Sequence, residues 1–169
     1  MPNRQEELFA EINRDLRGLI GRVALAFAPE PADRDDLFQE ILISIWQALP
    51  QFEGGAKLST YVYRVALSGA LNWKRSRQRY AQKLEHYGQA LPALSATASP
   101  RDEERLRWLY ARIHELPPVD RSLILLSLDR LSYGEIAEIT GLSESNIGVR
   151  LHRIKQQLVT QSENMKHEI

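Results

Sequence analysis

Cysteine is absent from the 169 residues. That excludes disulfides and thiolate metal sites and fits a reducing compartment. Net charge is absent too: 22 lysines and arginines balance 22 acids, so overall basicity does not advertise a polyanion partner. No apolar run approaches the roughly 18 residues that a membrane-spanning helix needs. The N-terminal MPNRQEELFAEI reads as the start of an amphipathic helix, not as a signal peptide. His86, His114, His152 and His167 lie far apart, without metal-ligand spacing. A glycine-rich phosphate loop is missing, because Gly54-Gly55 lacks the flanking lysine and helix start. Asp33, Asp35, Asp36 and Glu40 fall close together, but as helix-start and solvated-face acids. No internal repeat is seen. Together these gaps argue against an enzyme.

What is present is charge unevenly placed. Residues 131–158, LSYGEIAEITGLSESNIGVRLHRIKQQL, read as two helices joined by a tight turn. Ser132 followed by Glu135 is a capping box, in which hydroxyl and carboxylate each take an orphan N–H. Ile136, Ala137 and Ile139 give the first helix an inward side, and small Ala137 lets the two helices approach. Gly141 falls where the chain must bend, and glycine tolerates the left-handed conformation that ends a helix. Ser143 can cap the second helix. There Ile147, Leu151, Ile154 and Leu158 form a narrow apolar stripe at roughly 100° per residue. Ser145, Val149, His152, Arg153 and Gln156 lie opposite, flanked by Arg150 and Lys155. No acid occurs between Ser145 and Ser162. The pattern is a helix-turn-helix whose second helix is the reader; an ordinary helical hairpin with a solvated basic face is the alternative.

Ahead of it the periodicity predicts an all-α chain, two small helical domains joined by a flexible linker. Residues 4–28 read as one helix with Leu8, Phe9, Ile12, Leu16, Leu19, Ile20 and Val23 inward. Ala28-Pro29-Glu30-Pro31 ends it, because proline cannot continue a helix interior. Asp33, Asp35 and Asp36 open a second helix, where negative charge suits the positive end of the dipole. Leu37, Phe38, Ile41, Leu42, Ile45 and Leu49 cover one half of it, with Trp46 at the margin. Asp36, Gln39, Glu40, Ser44 and Gln47 cover the other. Ile43 is out of place on that polar half: it is either a docking point or a scattered surface residue. Residues 50–60 form a loop, with Ser59 or Thr60 capping the third helix. Residues 82–101 lose periodicity, and LPALSATASPR marks a linker. Residues 102–115 form a helix with Leu106, Leu109, Tyr110 and Ile113 inward. Leu116-Pro117-Pro118 breaks it, and residues 120–129 form another.

The third helix, residues 61–80, carries the second informative surface. Val62, Val65, Ala66, Gly69 and Trp73 share one side. Arg64, Ser68, Asn72, Arg75 and Arg79 fall nearly opposite, in a stripe about 80° wide. From Gly54 to Leu84 the basic residues are Lys57, Arg64, Lys74, Arg75, Arg77, Arg79 and Lys83, with no acid, whereas the residues before Gly54 are net acidic. A one-sided basic helix is the footprint of a polyanion. Phe52, Tyr61, Tyr63, Trp73 and Tyr80 are interleaved with it, and rings beside cations suit unstacked bases. At least three of these five rings are expected in the core.

The order DDLFQE…W, loop, Tyr-Arg-bearing basic helix, linker, LPPVDR and terminal helix-turn-helix resembles a bacterial sigma factor. It is similar to the small extracytoplasmic-function (ECF) class, which keeps only the second and fourth conserved regions. The resemblance covers residues 8–158. It implies that residues 1–82 dock core RNA polymerase and recognise and melt the minus-ten element, that 83–101 are linker, and that 102–162 recognise the minus-thirty-five element. By resemblance, Asp36, Leu37, Gln39, Glu40, Ile43 and Trp46 lie on the helix that docks the clamp of the core enzyme. Phe52, Lys57, Arg64, Ser68, Asn72, Arg75 and Arg79 match the minus-ten reader, where a trapped base is unstacked at a cost of a few kcal/mol. Ser145, Asn146, Val149, Arg150, His152, Arg153 and Lys155 match the helix that enters the major groove of the minus-thirty-five element.

The chain departs from the family's pattern in places. An Arg-Asn pair is common where Leu67-Ser68 stand, and an Asp where Asn72 stands. A basic residue followed by serine is common where Gly148-Val149 stand. Glycine there removes a contact and costs about 1 kcal/mol relative to alanine, while Val149 can touch a thymine methyl. A family promoter sequence is therefore not inherited. The expected partners are core RNA polymerase, promoter DNA and an anti-sigma factor. No small-molecule substrate, cofactor, metal, catalytic residue or membrane insertion is expected, and the location is cytoplasmic. A free-standing helix-turn-helix repressor or activator, dimeric on a symmetric operator, leaves the basic third helix without a role.

Overall fold

The structure, a computed structural model, describes residues 3–81 and 99–167. The linker expected at 83–101 lies outside the described residues except at its end, as do Lys83, His86 and the Tyr80 side chain. Every regular element among the described residues is helical. The chain forms two compact units, residues 1–111 and 112–169.

In the first unit, α1 (Arg4–Glu11) starts on a capping box: Glu6 N–H donates to Asn3 Oδ1 and Asn3 N–H donates to Glu6 Oε2, both at 2.9 Å. The single helix expected over 4–28 is interrupted, because Ile12–Leu16 is a π-helical turn before α2 (Arg17–Phe27). A π turn widens the backbone ladder by one residue. At this turn the Asn13 amide donates to the Phe9 carbonyl at 3.1 Å. Next comes α3 (Pro31–Ala48), with proline at a first-turn position, where its missing N–H costs nothing. A 3₁₀ turn (Leu49–Gln51) leads through the loop to α4 (Leu58–Ala81). That start lies ahead of Ser59 and Thr60, so neither is the cap expected of them. Tyr61 N–H instead donates to the Lys57 carbonyl at 3.1 Å, and Thr60 is buried. Within the loop Gly54 has φ +83°, a conformation that costs other residues about 1–2 kcal/mol.

The core of this unit is a three-helix interior. Ile20, Val23 and Phe27 come from α2, Leu37, Ile41 and Ile45 from α3, and Val62, Ala66 and Ala70 from α4. Small residues on α4 let it lie close: a Cβ at Gly69 would stand 3.7 Å from Ile41 Cγ1. The carbonyls left open at the end of α3 are closed by side chains from both neighbours. Gln5 Nε2 donates to the Trp46 carbonyl and the Tyr61 hydroxyl to the Ala48 carbonyl, each at 2.7 Å. Arg4 Nη2 donates to the Phe52 carbonyl at 3.3 Å. The loop thus leaves α3 from a fixed point.

α5 (Pro100–Glu115) is capped by Ser99, whose Oγ accepts from Asp102 N–H at 3.3 Å, and it crosses the division between the units. Leu106, expected inward, is exposed, whereas Tyr110 and Ile113 are buried. In the second unit, α6 (Pro118–Leu128) runs through the middle. Leu123, Ile124, Leu125 and Leu126 are all buried, which explains an apolar run with no helical period. α7 (Tyr133–Thr140) and α8 (Glu144–His167) complete it. Arg121 is buried beside Leu123, and its guanidinium donates to the carbonyls of His114 and, at 3.1 Å, Leu116. It closes the C-terminal end of α5 as a cap would. Burial pushes its pKa down to about 10, so it remains a cation at neutral pH.

The α6–α7 turn carries a non-glycine residue in the left-handed region, Arg130 at φ 63°. Its N–H donates to the Ser127 carbonyl at 3.0 Å, and Leu131 N–H donates to Leu126 at 3.2 Å. This is the Schellman pattern, in which glycine is the usual residue. Replacing Arg130 with glycine removes the Cβ clash and is expected to stabilise the second unit by about 1 kcal/mol. Chemical denaturation monitored by circular dichroism checks this; an unchanged or lowered midpoint would show that the turn is unstrained.

Candidate nucleic-acid interface

Three surfaces arise from these helices. On α3, Asp36, Gln39, Glu40 and Ile43 recur at the i, i+3, i+4, i+7 spacing of one helix face. All are exposed, Ile43 to 57%. Leu37 does not join them. It has no exposed surface and belongs to the three-helix core, because it stands on the helix side that carries Ile41 and Ile45. Trp46 is half-buried, with its ring edge-on to Phe9 at 5.1 Å between centroids. It borders the face and is braced from α1.

On α4 the basic row stands where its periodicity places it. Arg64, Ser68, Asn72, Arg75 and Arg79 are all exposed, as is Lys57 in the loop just before α4. Val62, Ala66 and Ala70 are buried on the opposite side. Phe52 is half-buried against Tyr61, 5.0 Å between ring centroids, so the loop and the start of the row share an aromatic edge. Fewer rings enter the core than expected. Of the described ones only Tyr63 is fully buried; Phe52, Tyr61 and Trp73 are half-exposed. Phe52 and Tyr61 pack on each other at the end of α3, where the Tyr61 hydroxyl reaches the Ala48 carbonyl, and Trp73 lies past Ala70, the last fully buried described side chain of α4.

The remaining cations of α4 behave differently. Arg77 forms an ion pair with Asp33 in the first turn of α3, and its guanidinium lies 5.1 Å from the Trp73 ring centre. Lys74 is half-buried. The sequence held a signal for Arg77, because helical pitch sets it with Ala66 and Trp73 rather than with the row.

In the second unit the helix-turn-helix is built as its sequence dictates. Ser132 Oγ accepts from Glu135 N–H at 3.2 Å, and Glu135 Oε2 accepts from Ser132 N–H at 2.9 Å. Gly141 closes α7 at φ +74°. Ser143 Oγ accepts from Asn146 N–H at 3.3 Å at the start of α8. Ile147, Leu151 and Ile154 are buried, while Ser145, Asn146, Val149, His152, Arg153, Lys155 and Gln156 are exposed, Val149 to 59%. Arg150 departs from that set. It is half-buried, with Nη1 donating to Asp120 Oδ1 at 2.6 Å and Nε donating to Asn146 Oδ1 at 3.0 Å. It ties the reader helix to the first turn of α6. Gly148 also does more than omit a side chain: a Cβ there would lie 3.3 Å from Tyr133 Cε2. The missing side chain lets the Tyr133 ring lie against the reader helix.

Among the described residues no group of histidine, cysteine and carboxylate side chains could hold a metal ion. No helix among them is long and apolar enough to cross a membrane.

A helix-turn-helix in one unit and an acid-free basic helix in the other define a DNA-binding transcription protein. Comparison with known proteins narrows this. The family model "Sigma-70 region 2" matches residues 13–80, and "Sigma-70, region 4" matches residues 106–158. The ECF RNA polymerase sigma-E factor of Escherichia coli is 30% identical over 135 residues, covering 73% of this chain and 71% of that protein. The RNA polymerase sigma factor YlaC of Bacillus subtilis is 31% identical over 132 residues, covering 73% of each. Among solved structures, the sigma factor RpoE in complex with the anti-sigma factor NepR from Bartonella quintana shares the fold. Its TM-score is 0.74 at 20% identity, covering 88% of this chain and 92% of that one. CnrH in complex with the cytosolic domain of CnrY does so with a TM-score of 0.68 at 18% identity, covering 96% and 91%. The chain belongs to the ECF family of RNA polymerase sigma factors and directs promoter-specific transcription initiation. Sigma factors are non-enzymatic initiation factors.

Proposed function

We propose that residues 1–82 form the unit that docks core polymerase and opens the minus-ten element, and that residues 102–162 form the unit that reads the minus-thirty-five element. The family matches over 13–80 and 106–158 support that division. On α3, Asp36, Gln39, Glu40 and Ile43, bordered by Trp46, meet the clamp of the core enzyme. The exposed Ile43 among polar neighbours supports this, since an apolar residue in such a setting gains by being covered. On α4, Arg64, Arg75 and Arg79 hold phosphates, Ser68 and Asn72 present hydrogen-bonding edges, and Phe52 with Lys57 borders the strand that separates. On α8, Ser145, Asn146, Val149, His152, Arg153 and Lys155 face the major groove, with Val149 suited to a thymine methyl. Arg150 orients that helix through Asp120.

The observation that carries this reading is the exposed, acid-free row on α4, which a dimerisation module has no use for. The chain performs no catalytic step of its own, needs no cofactor and works in the cytoplasm. An anti-sigma factor is its regulator, a reading supported by the complex of the RpoE structural neighbour with the anti-sigma factor NepR. Purified chain mixed with core polymerase is expected to shift in hydrodynamic mass and to initiate from specific promoters. A stable self-dimer that ignores core polymerase and binds a two-fold symmetric site would reject this reading in favour of a free-standing repressor.

A further inference from the structure

The C-terminal third of α4 is weakly supported by its own unit. Beyond Ala70 no described side chain of the helix is fully buried; Leu71, Trp73 and Lys74 are half-buried and the rest, through Arg79, are exposed. Yet this end carries Arg75 and Arg79. The inward side of the same turns holds Arg77, paired with Asp33 in the first turn of α3 and set over the Trp73 ring. At 100° per residue Arg77 points away from the row by roughly half a turn of the helix. Held this way, it is directed at its own unit rather than outward with Arg75 and Arg79. Asp33 is well placed as the anchor, because a carboxylate near a helix N-terminus is itself fixed by the backbone dipole. A planar guanidinium can satisfy an acid and stack on an indole at once, which an ammonium cannot do as well.

We propose that Arg77, gripped by Asp33 and stacked on Trp73, is a positioning residue that sets where Arg75 and Arg79 stand for the minus-ten strand. This rests on the reading of the α4 row as the minus-ten surface. The expected effect has an unusual sign. If Asp33 were merely an acid near a basic surface, removing its charge would raise the local positive potential and favour DNA. If it positions the row, removing it impairs opening.

The test uses holoenzyme assembled from the full chain and core polymerase, on a promoter recovered by start-site mapping with the wild-type protein. Opening is followed as permanganate reactivity of unpaired thymines. Asp33→Asn and Arg77→Gln are each expected to slow opening about three- to tenfold, with the double variant no slower than either single one, as for a coupled pair. Arg77→Lys recovers part of the loss. In a background already carrying Arg75→Ala and Arg79→Ala, Asp33→Asn is expected to have no further effect. Opening by Asp33→Asn at or above the wild-type rate would overturn the proposal. So would a loss of the same size in the Arg75→Ala, Arg79→Ala background, which would make the pair a matter of general stability. Wild-type holoenzyme that fails to open any promoter condemns the underlying reading of α4, and is thereby told apart from failure of the pair.

Discussion

Reversing Arg64, Arg75 and Arg79 together to glutamate is expected to abolish promoter opening while leaving assembly with core polymerase intact. The three stand on the exposed side of α4, opposite the buried Val62, Ala66 and Ala70, so the reversal leaves the core untouched. Each arginine that neutralises a phosphate releases condensed counterions, and a glutamate in its place adds repulsion to that loss. For three positions the combined loss in opening should be on the order of a hundredfold or more at physiological salt. The single alanine variants give a finer reading: each should lower the slope of affinity against salt by about one, uniformly across promoter sequences. Ser68→Ala and Asn72→Ala should leave that slope alone and alter preference among minus-ten bases instead. Transcription unaltered by the triple reversal would remove α4 from DNA recognition.

The second large effect falls on stability. Arg121→Met takes the donor from the His114 and Leu116 carbonyls at the end of α5. Unmet buried acceptors of this kind cost about 2–4 kcal/mol together, offset in part because a desolvated charge is removed as well. The net result expected is a second unit that unfolds at lower denaturant and loses minus-thirty-five recognition. Binding to core polymerase through α3 survives. The pH dependence has a definite sign. Burial lowers the Arg121 pKa to about 10, below that of the same side chain in the unfolded chain, so between the two the unfolded chain holds more protons and this group's contribution rises with pH. Below that window both states are protonated, and Arg121 should add no pH dependence to wild-type stability between about pH 6 and 8. Denaturation of the full chain, followed by proteolysis of the two units, checks both points; an unchanged second unit would mean that water closes α5 equally well.

Much of this was legible in the sequence because it is local. The Ser132–Glu135 box, Gly141 and the Ile147–Leu151–Ile154 stripe are set by residues within one or two turns of one another, and each takes its expected place. The α4 row and the exposure of Ile43 follow from helical pitch alone. What escaped is tertiary. Leu37 stands on the apolar half of α3 by periodicity and is buried there, so its assignment to the polymerase-docking set, made by resemblance, is what the packing of α2 and α4 onto α3 corrects. The π turn at Ile12–Leu16 shifts the ladder by one residue without moving Ile12, Leu19 or Ile20 out of the interior, so periodicity could not reveal it. Arg150 carried the right charge on the right helix, but its partner Asp120 is thirty residues away. Arg121 carried no local signal of burial, because the carbonyls that hold it belong to the end of the preceding helix.

The central claim is that two different surfaces, one in each unit, read two separate promoter elements for a polymerase bound elsewhere. Mapping the 5′ ends of transcripts made by core polymerase and this chain on genomic DNA tests it most directly. The expected result is a set of starts sharing two unlike sequence blocks at near-constant spacing. Charge reversal on α4 should abolish dependence on the downstream block, and changes at Val149 and Arg153 dependence on the upstream one. Starts that share a single two-fold symmetric block, or no chain-dependent starts at all, would contradict it.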